Sequence, residues 1–116
     1  MVATLELVDA PLKRTAEETL AAYEACSQLV PYCLTKGGRL AENEHIRRLL
    51  DCAEICQATS DLLLRGSPRA RQLCGICADF CRDAEKDCRR YLPDEAMQRC
   101  AQICRRAAET CAIMAA

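Results

Sequence analysis

The sequence predicts an all-α fold, an antiparallel up-down-up-down four-helix bundle with a cysteine-lined core. Glycine and proline, four of each, fall mostly where they divide the chain into four segments of similar length. Within the segments, cysteines recur at spacings of three, four and seven residues, which return to one face of an α-helix. Short connections between such helices favour antiparallel neighbours. We therefore expect residues 1–15 to form an N-terminal extension and residues 16–116 to form one bundle domain.

The limits of helices one and two are indicated by a capping pattern and by glycines. A Thr-x-x-Glu capping box at Thr15 is predicted to open helix one, and Gly37-Gly38 to close it, which gives a helix over residues 16–36. Pro31 lies inside this helix and removes one backbone hydrogen bond, so a kink is expected there. Helix two is predicted over about residues 40–65.

The limits of helices three and four are indicated by proline and its neighbours. Gly66 ends helix two, and Ser67 followed by Pro68 is typical of an N-cap with proline in the first turn of the next helix. Helix three is expected to end near Tyr91. Pro93, followed by two acidic residues, favours the start of helix four, because acidic groups suit the positive end of the helix dipole. Helix four is predicted to run to about residue 114.

A cysteine template, Cys-x3-Cys-x6-Cys, repeats along these helices. It is complete in helices three and four and partial in helices one and two, and ten of the eleven cysteines fit it. The charged residues lie mainly off the stripe, so the thiols are expected to face inward. The eleven candidate metal ligands are Cys26, Cys33, Cys52, Cys56, Cys74, Cys77, Cys81, Cys88, Cys100, Cys104 and Cys111.

Reflecting the chain about its predicted turns arranges these residues in layers along the bundle axis. His45 precedes Cys52 by seven residues and so belongs to the stripe as a candidate ligand, as do Met97 and Met114 near its ends. One end is predicted to gather Cys33, His45, Cys88 and Met97 or Cys100, the middle Cys26, Cys52, Cys81 and Cys104, and the far end Thr59, Cys74, Cys111 and Met114. The end with His45 is the expected point of access for metal.

Composition and charge exclude several classes of function. The 16 lysines and arginines nearly balance the 17 aspartates and glutamates, which leaves no basic field for nucleic acid. No run of about 18 apolar residues suits a membrane span, and the N-terminus lacks the features of a secretion signal, so we expect a cytoplasmic protein without a membrane partner. Disulfides are rare in that reducing compartment, and the odd cysteine count leaves at least one thiol unpaired.

Metal binding is therefore the favoured role for the thiols. Buried cysteines can also serve as small hydrophobic side chains, but ten of them on a repeated inward template exceed what packing requires. A buried thiolate needs a neutralising partner, and one soft monovalent ion per thiolate gives a neutral core. Cu(I) meets this requirement. Cysteines four residues apart could supply a two-coordinate site from one helix.

Three other functions stay open. Zinc would need four ligands that converge tetrahedrally, which the middle layer could supply once. An iron-sulfur cluster is an alternative, although the spacing of Cys74, Cys77 and Cys81 lacks the full bacterial ferredoxin run. The sequence Cys74-Gly-Ile-Cys77 has the spacing of a thiol redox motif, but the βαβ context of such motifs is absent from the predicted helices. No catalytic constellation is recognisable, and we expect a protein that is not an enzyme.

The ordered Cys-Ala-x2-Cys series resembles that of the cysteine-rich four-helix-bundle copper-binding proteins, which include the bacterial copper storage proteins. The resemblance covers about residues 20–114. It implies inward thiolates that hold many Cu(I) ions in a cytosolic homo-oligomer, with a copper chaperone as a candidate partner. The motifs that carry it are Leu49-Leu50-Asp51-Cys52-Ala53-x2-Cys56, Cys74-x2-Cys77-Ala78-x2-Cys81 and Arg99-Cys100-Ala101-x2-Cys104-Arg105.

Overall fold

The computed structural model describes residues 9–116 and confirms the predicted all-α four-helix bundle. Each helix packs on two others, most extensively within the hairpins formed by the first and second and by the third and fourth helices. Consecutive helices are antiparallel, and the particle is elongated, with extents of 53 × 27 × 20 Å. The helices are α1 (Ala10–Lys36), α2 (Asn43–Leu64), α3 (Ala70–Arg89) and α4 (Glu95–Ala115).

Helix α1 begins at Ala10, so the predicted start near residue 16 is wrong. Asp9 is the N-cap, and its carboxylate Oδ1 accepts a hydrogen bond from the backbone N–H of Leu12 at 3.0 Å. Pro11 occupies the first turn, where its missing N–H costs nothing. Thr15 does not cap a helix but donates its hydroxyl to the carbonyl group of Pro11 at 2.9 Å. Residues 10–15 of the predicted extension therefore belong to α1, and residues 1–8 lie outside the described part of the chain.

The predicted breaks between helices fall close to their observed places, but Arg69 rather than Ser67 occupies the N-cap position of α3, and Pro68 lies before that helix. Gly37 and Gly66 have φ angles of 75° and 68°, a left-handed region that glycine enters without steric cost. A short 3-10 helix, Gly38–Ala41, precedes α2, which moves the start of α2 from about residue 40 to Asn43. Helix α1 continues past Pro31 and ends at Lys36.

The start of α4 is tied to α1 by its N-cap. Asp94 accepts a hydrogen bond from the backbone N–H of Met97 at 2.9 Å, so α4 begins at Glu95, two residues after the predicted start at Pro93. Its second carboxylate oxygen accepts a hydrogen bond from the hydroxyl of Tyr32 on α1 at 2.7 Å. One carboxylate thus fixes both the first turn of α4 and its position against α1.

Cysteine and alanine form most of the core. All eleven cysteines are buried and free of disulfides, and Ala84 and Ala107 are buried among them. The largest fully buried side chains are Leu49, Leu63 and Met97. None of the helices in the described part of the chain combines the length and the apolar character that a membrane span needs.

Candidate metal centre

Three thiols from α1 and α4 form a compact triangle. The Sγ atom of Cys26 lies 3.9 Å from that of Cys100 and 3.8 Å from that of Cys104, and Cys100 and Cys104 lie 3.9 Å apart. The two cysteines of α4 face the same way because they are one turn apart on the helix. This α1/α4 triangle brings its donor atoms within 4.8 Å of one another, as a shared metal ion requires.

Four thiols from α2 and α3 form two triangles with a common edge. Cys56 and Cys81 define that edge, with their Sγ atoms 3.4 Å apart. Cys52 lies 3.9 Å from both of them, and Cys77 lies 3.6 Å from Cys56 and 4.0 Å from Cys81. Cys56 and Cys81 are therefore each placed to contact two neighbouring metal ions at once.

The remaining thiols join the triangles into a continuous row. Cys104 and Cys26 lie near enough to Cys52 to lower its pKa, which connects the α2/α3 thiols to the α1/α4 triangle. At one end of the row, Cys111 influences the pKa of Cys77, and Cys74 that of Cys111. At the other end, Cys100 raises the pKa of Cys88. The bundle axis thus carries thiols over most of its length.

Thiol contacts divide the row into more and less acidic members. Hydrogen bonds from Cys104 and Cys26 lower the pKa of Cys52, and a hydrogen bond from Cys111 lowers that of Cys77. The same kind of contact raises the pKa of Cys56 and of Cys111, because their protons hold the neighbouring thiolates. Some thiols of the row are therefore easier to deprotonate than the thiols beside them.

One end of the row carries a buried network of charged groups. The Nε2 atom of His45 lies 3.4 Å from Sγ of Cys33, and its Nδ1 atom lies 2.5 Å from Oδ2 of Asp87. The other carboxylate oxygen of Asp87 lies 3.2 Å from Arg48 and 3.6 Å from Arg90. Because Asp87 holds the Nδ1 side, the Nε2 side of the imidazole faces the thiol, as a metal-ligating histidine requires.

Sequence reasoning missed Asp87, although it placed His45 correctly beside Cys33. Asp87 precedes the inward residue Cys88 and lies outside the cysteine template, yet it is buried. A buried imidazole needs a hydrogen-bond partner, and that requirement is the signal that could have found it.

The structure reproduces part of the predicted layers of neighbouring residues. Cys26 contacts Cys104 and Cys52 contacts Cys81, as expected for the middle layer, while Cys100 joins that layer through Cys26. Met97 is fully buried in the core, and Met114 is half-buried at its edge. Neither methionine has a sulfur contact within hydrogen-bonding distance among the described residues.

Fold and site together define a class: helical bundles whose interior is lined by free thiols able to hold soft metal ions. Comparison with known proteins agrees with this class. The family model for the copper storage protein matches residues 8–116 of this chain. The chain belongs to the copper storage protein family.

Three relatives match this chain over nearly their whole length. The protein Nmul_A1745 from Nitrosospira multiformis is 34% identical, with a TM-score of 0.86 over 93% of this chain and 97% of that one. The Cu(I)-bound copper storage protein BsCsp3 is 27% identical, with a TM-score of 0.86 over 92% of this chain and 100% of that one. An uncharacterized cysteine-rich protein, YhjQ of Bacillus subtilis, is 29% identical over 109 residues, 90% of this chain and 100% of that protein.

Proposed function

We propose that this chain stores several Cu(I) ions on the thiolates inside its bundle. The observation that carries the proposal is the row of eleven buried, unpaired cysteines contributed by all four helices. Membership of the copper storage protein family and the Cu(I)-bound state of its relative BsCsp3 support the same function.

The spacing of the thiols suits three-coordinate Cu(I). If each metal–sulfur bond is about 2.3 Å, as for zinc, three sulfurs in a plane around the ion lie about 4.0 Å apart. The α1/α4 triangle has edges of 3.8–3.9 Å, so it needs almost no rearrangement. Two sulfurs in line about an ion would lie about 4.6 Å apart, which requires a slight opening of the pairs within one helix.

Charge favours Cu(I) over zinc. Each Cu(I) neutralises one thiolate, whereas each four-thiolate zinc site keeps two negative charges in a buried environment. The thiols that lie mutually within 4.8 Å form groups of three in the described chain, and zinc needs a fourth ligand. The same grouping by threes argues against a four-cysteine iron-sulfur cluster.

A storage role agrees better with the site than an enzymatic one. Reactive redox cysteines are partly exposed, but Cys74 and Cys77 of the Cys-x2-Cys pair are fully buried within α3. We include in the proposal a cytoplasmic location, supported by the eleven unpaired thiols, because a reducing compartment keeps thiols free.

Partners other than copper also belong to the proposal. Several large apolar side chains, including Leu50 and Ile76, are about half exposed, and such side chains suit burial between copies in a homo-oligomer. A copper chaperone would be the donor of Cu(I) in the cell.

Anaerobic titration of the reduced chain with Cu(I) and, separately, with Zn(II) tests the proposal. We expect uptake of several Cu(I) ions per chain, with a rise in thiolate-to-metal absorbance that continues beyond one equivalent. Saturation by zinc at one equivalent, with no uptake of several Cu(I) ions, would contradict storage.

Two buried alanines offer a test of capacity. Ala84 and Ala107 are buried beside the thiol row, so Ala84→Cys plus Ala107→Cys should add about two Cu(I) ions, one per added thiolate. The extra sulfur atoms should cost no more than about 1–3 kcal/mol in stability. The matched control is Ala84→Ser plus Ala107→Ser, which adds atoms of similar size that Cu(I) does not favour. Equal copper content in both double variants would show that the sites are discrete and already complete.

A further inference from the structure

A surface cleft between α1 and α4 reaches the thiol row from the side. Its volume is about 280 Å³, and its lining includes Ala25 and Leu29 of α1 with Ala96, Cys100 and Ile103 of α4. The helices α1 and α4 pack less extensively on each other than on their hairpin partners, which leaves room for this cleft.

Cys100 lies at the inner surface of the cleft. Its exposed fraction is 2%, whereas each of the other ten cysteines is 0% exposed. It is also a corner of the α1/α4 triangle, with Cys26 and Cys104 each 3.9 Å away. A metal ion that reached Cys100 would therefore find two further thiols within one short displacement.

The end of the bundle with His45 is closed by comparison. His45 is 1% exposed, and the ring of Tyr91 lies over it with a centroid distance of 4.5 Å. Access there would require the imidazole and the phenol to move away, together with the groups bonded to Asp87. Access through the cleft requires only a movement of the side chains at its surface.

We propose that Cu(I) enters the bundle through the α1/α4 cleft and that Cys100 is the first thiol to bind it. This inference depends on the storage function proposed above. The donor is a complex of Cu(I) with small thiolate ligands, which carries negative charge. Arg99, an exposed residue of the cleft lining whose ion pair with Glu95 is long at 3.9 Å, supplies a cation for such a donor.

The transfer is an exchange of ligands without a change of oxidation state. The sulfur of Cys100 forms a bond to Cu(I), one bond between Cu(I) and a donor sulfur breaks, and the leaving donor thiolate takes the proton released by Cys100. Cys26 or Cys104 then replaces a second donor ligand in the same way. The ion ends on Cys100 and one neighbouring corner of the α1/α4 triangle, and both donor ligands leave as free thiols.

Filling the cleft tests the proposal. Ala25→Phe and Ala96→Phe place a ring in the cleft without removing a thiol. The matched control is Ala58→Phe, which places the same ring in the surface cavity of about 440 Å³ between α2 and α3. We expect both cleft variants to take up copper from the Cu(I)–glutathione complex at least tenfold more slowly than the parent, to the same final copper content. The control should load at the parental rate.

The alternative route through the His45 end gives the opposite pattern. Parental loading rates in both cleft variants, with altered rates in His45→Ala, would overturn the proposal. A parent protein that takes up no more than one Cu(I) ion would instead contradict the storage function itself.

Alkylation provides a test that does not depend on copper or on a folded variant. The reduced, metal-free parent is treated with limiting iodoacetamide, and the modified peptides are mapped by mass spectrometry at successive times. Cys100 should be modified first. Earlier modification of Cys33, Cys88 or any other cysteine would overturn its assignment as the accessible thiol.

Discussion

The two ends of the bundle satisfy their buried polar groups in different ways. At the His45 end, Asp87 of α3 is held by His45 and Arg48 of α2, so the bonds run between helices. At the other end, the hydroxyls of Thr19 and Thr59 donate to carbonyl groups one turn earlier in their own helices, and the hydroxyl of Ser60 donates to the carbonyl group of Ala16 on α1. Loss of one partner in the Asp87 network leaves other buried polar groups unpaired. Loss of a threonine hydroxyl leaves no other group unpaired, because the carbonyl that accepts it keeps its helical hydrogen bond.

The two ends of the bundle also differ in the metal ligands that they can offer. The His45 end offers an imidazole nitrogen beside the Cys33 thiol, held by a carboxylate that two arginines compensate. Within the described residues, the opposite end offers the thiols of Cys74 and Cys111, and the hydroxyl of Thr59 there already has a carbonyl acceptor. Any chemistry that distinguishes the ends of a loaded bundle should therefore arise at His45.

The largest effect is expected from Asp87→Ala at the charged end. Removal of this carboxylate leaves the buried Nδ1 atom of His45 without a partner and frees two arginine contacts, so we expect a loss of about 3 kcal/mol in the free energy of unfolding. This is the low side of the range for a broken buried pair, because the arginines are partly exposed and can turn to water. Urea denaturation of the metal-free protein measures the loss.

Asp83→Ala is the matched control for this substitution. Asp83 lies one turn earlier on α3 and is exposed, so its removal should change stability by no more than about 0.5 kcal/mol. Similar losses in the two variants would show that the buried network contributes nothing beyond ordinary surface charge.

An intermediate effect is expected from the Cys33 thiol at high pH. Burial raises the pKa of Cys33 from 9.0 to about 11, so the unfolded thiol ionises before the folded one. Its contribution to stability is complete below pH 9 and is lost as pH rises from about 9 to 11, at about 1.4 kcal/mol per pH unit. Stability of the parent should therefore fall more steeply across this range than that of Cys33→Ala. If the stabilities of the parent and of Cys33→Ala fell equally with pH, the Cys33 thiol would have an ordinary pKa, as in contact with water.

The smallest effect is expected from Thr59→Val at the uncharged end. The hydroxyl of Thr59 donates to the carbonyl group of Ile55 at 2.7 Å, and that carbonyl keeps its helical bond when the hydroxyl is removed. We expect a loss of about 0.5–1 kcal/mol by urea denaturation. A loss as large as that of Asp87→Ala would abolish the distinction between the two ends.

The sequence predicted what depends on a single helix and missed what depends on a neighbour. The inward stripe follows from offsets of three, four and seven residues, so Cys77, Cys81 and Cys88 of α3 are buried as expected. Burial of Asp87 depends on a histidine in another helix, which the period of α3 does not reveal. The exact thiol contacts, such as Cys100 with Cys26, likewise depend on how α1 and α4 are offset along the axis.

The start of α1 was missed for a different reason. Asp9 followed two residues later by Pro11 is itself a helix-start signal, and the capping box at Thr15 competed with it. The more N-terminal signal prevails because residues 10–15 are compatible with helix and bury Thr15 against the bundle.

The mixture of cysteine and alanine in the core makes capacity an adjustable trait. In most proteins a binding site is carried by a framework that must be kept intact while the site changes. Here the residues that fill the interior are the same residues that bind, and Ala84 and Ala107 occupy positions equivalent to those of the thiols. Exchange between two small side chains at such positions can raise or lower the load in single-residue steps, without a new loop or a new helix. Divergence among relatives can therefore proceed inside an unchanged backbone.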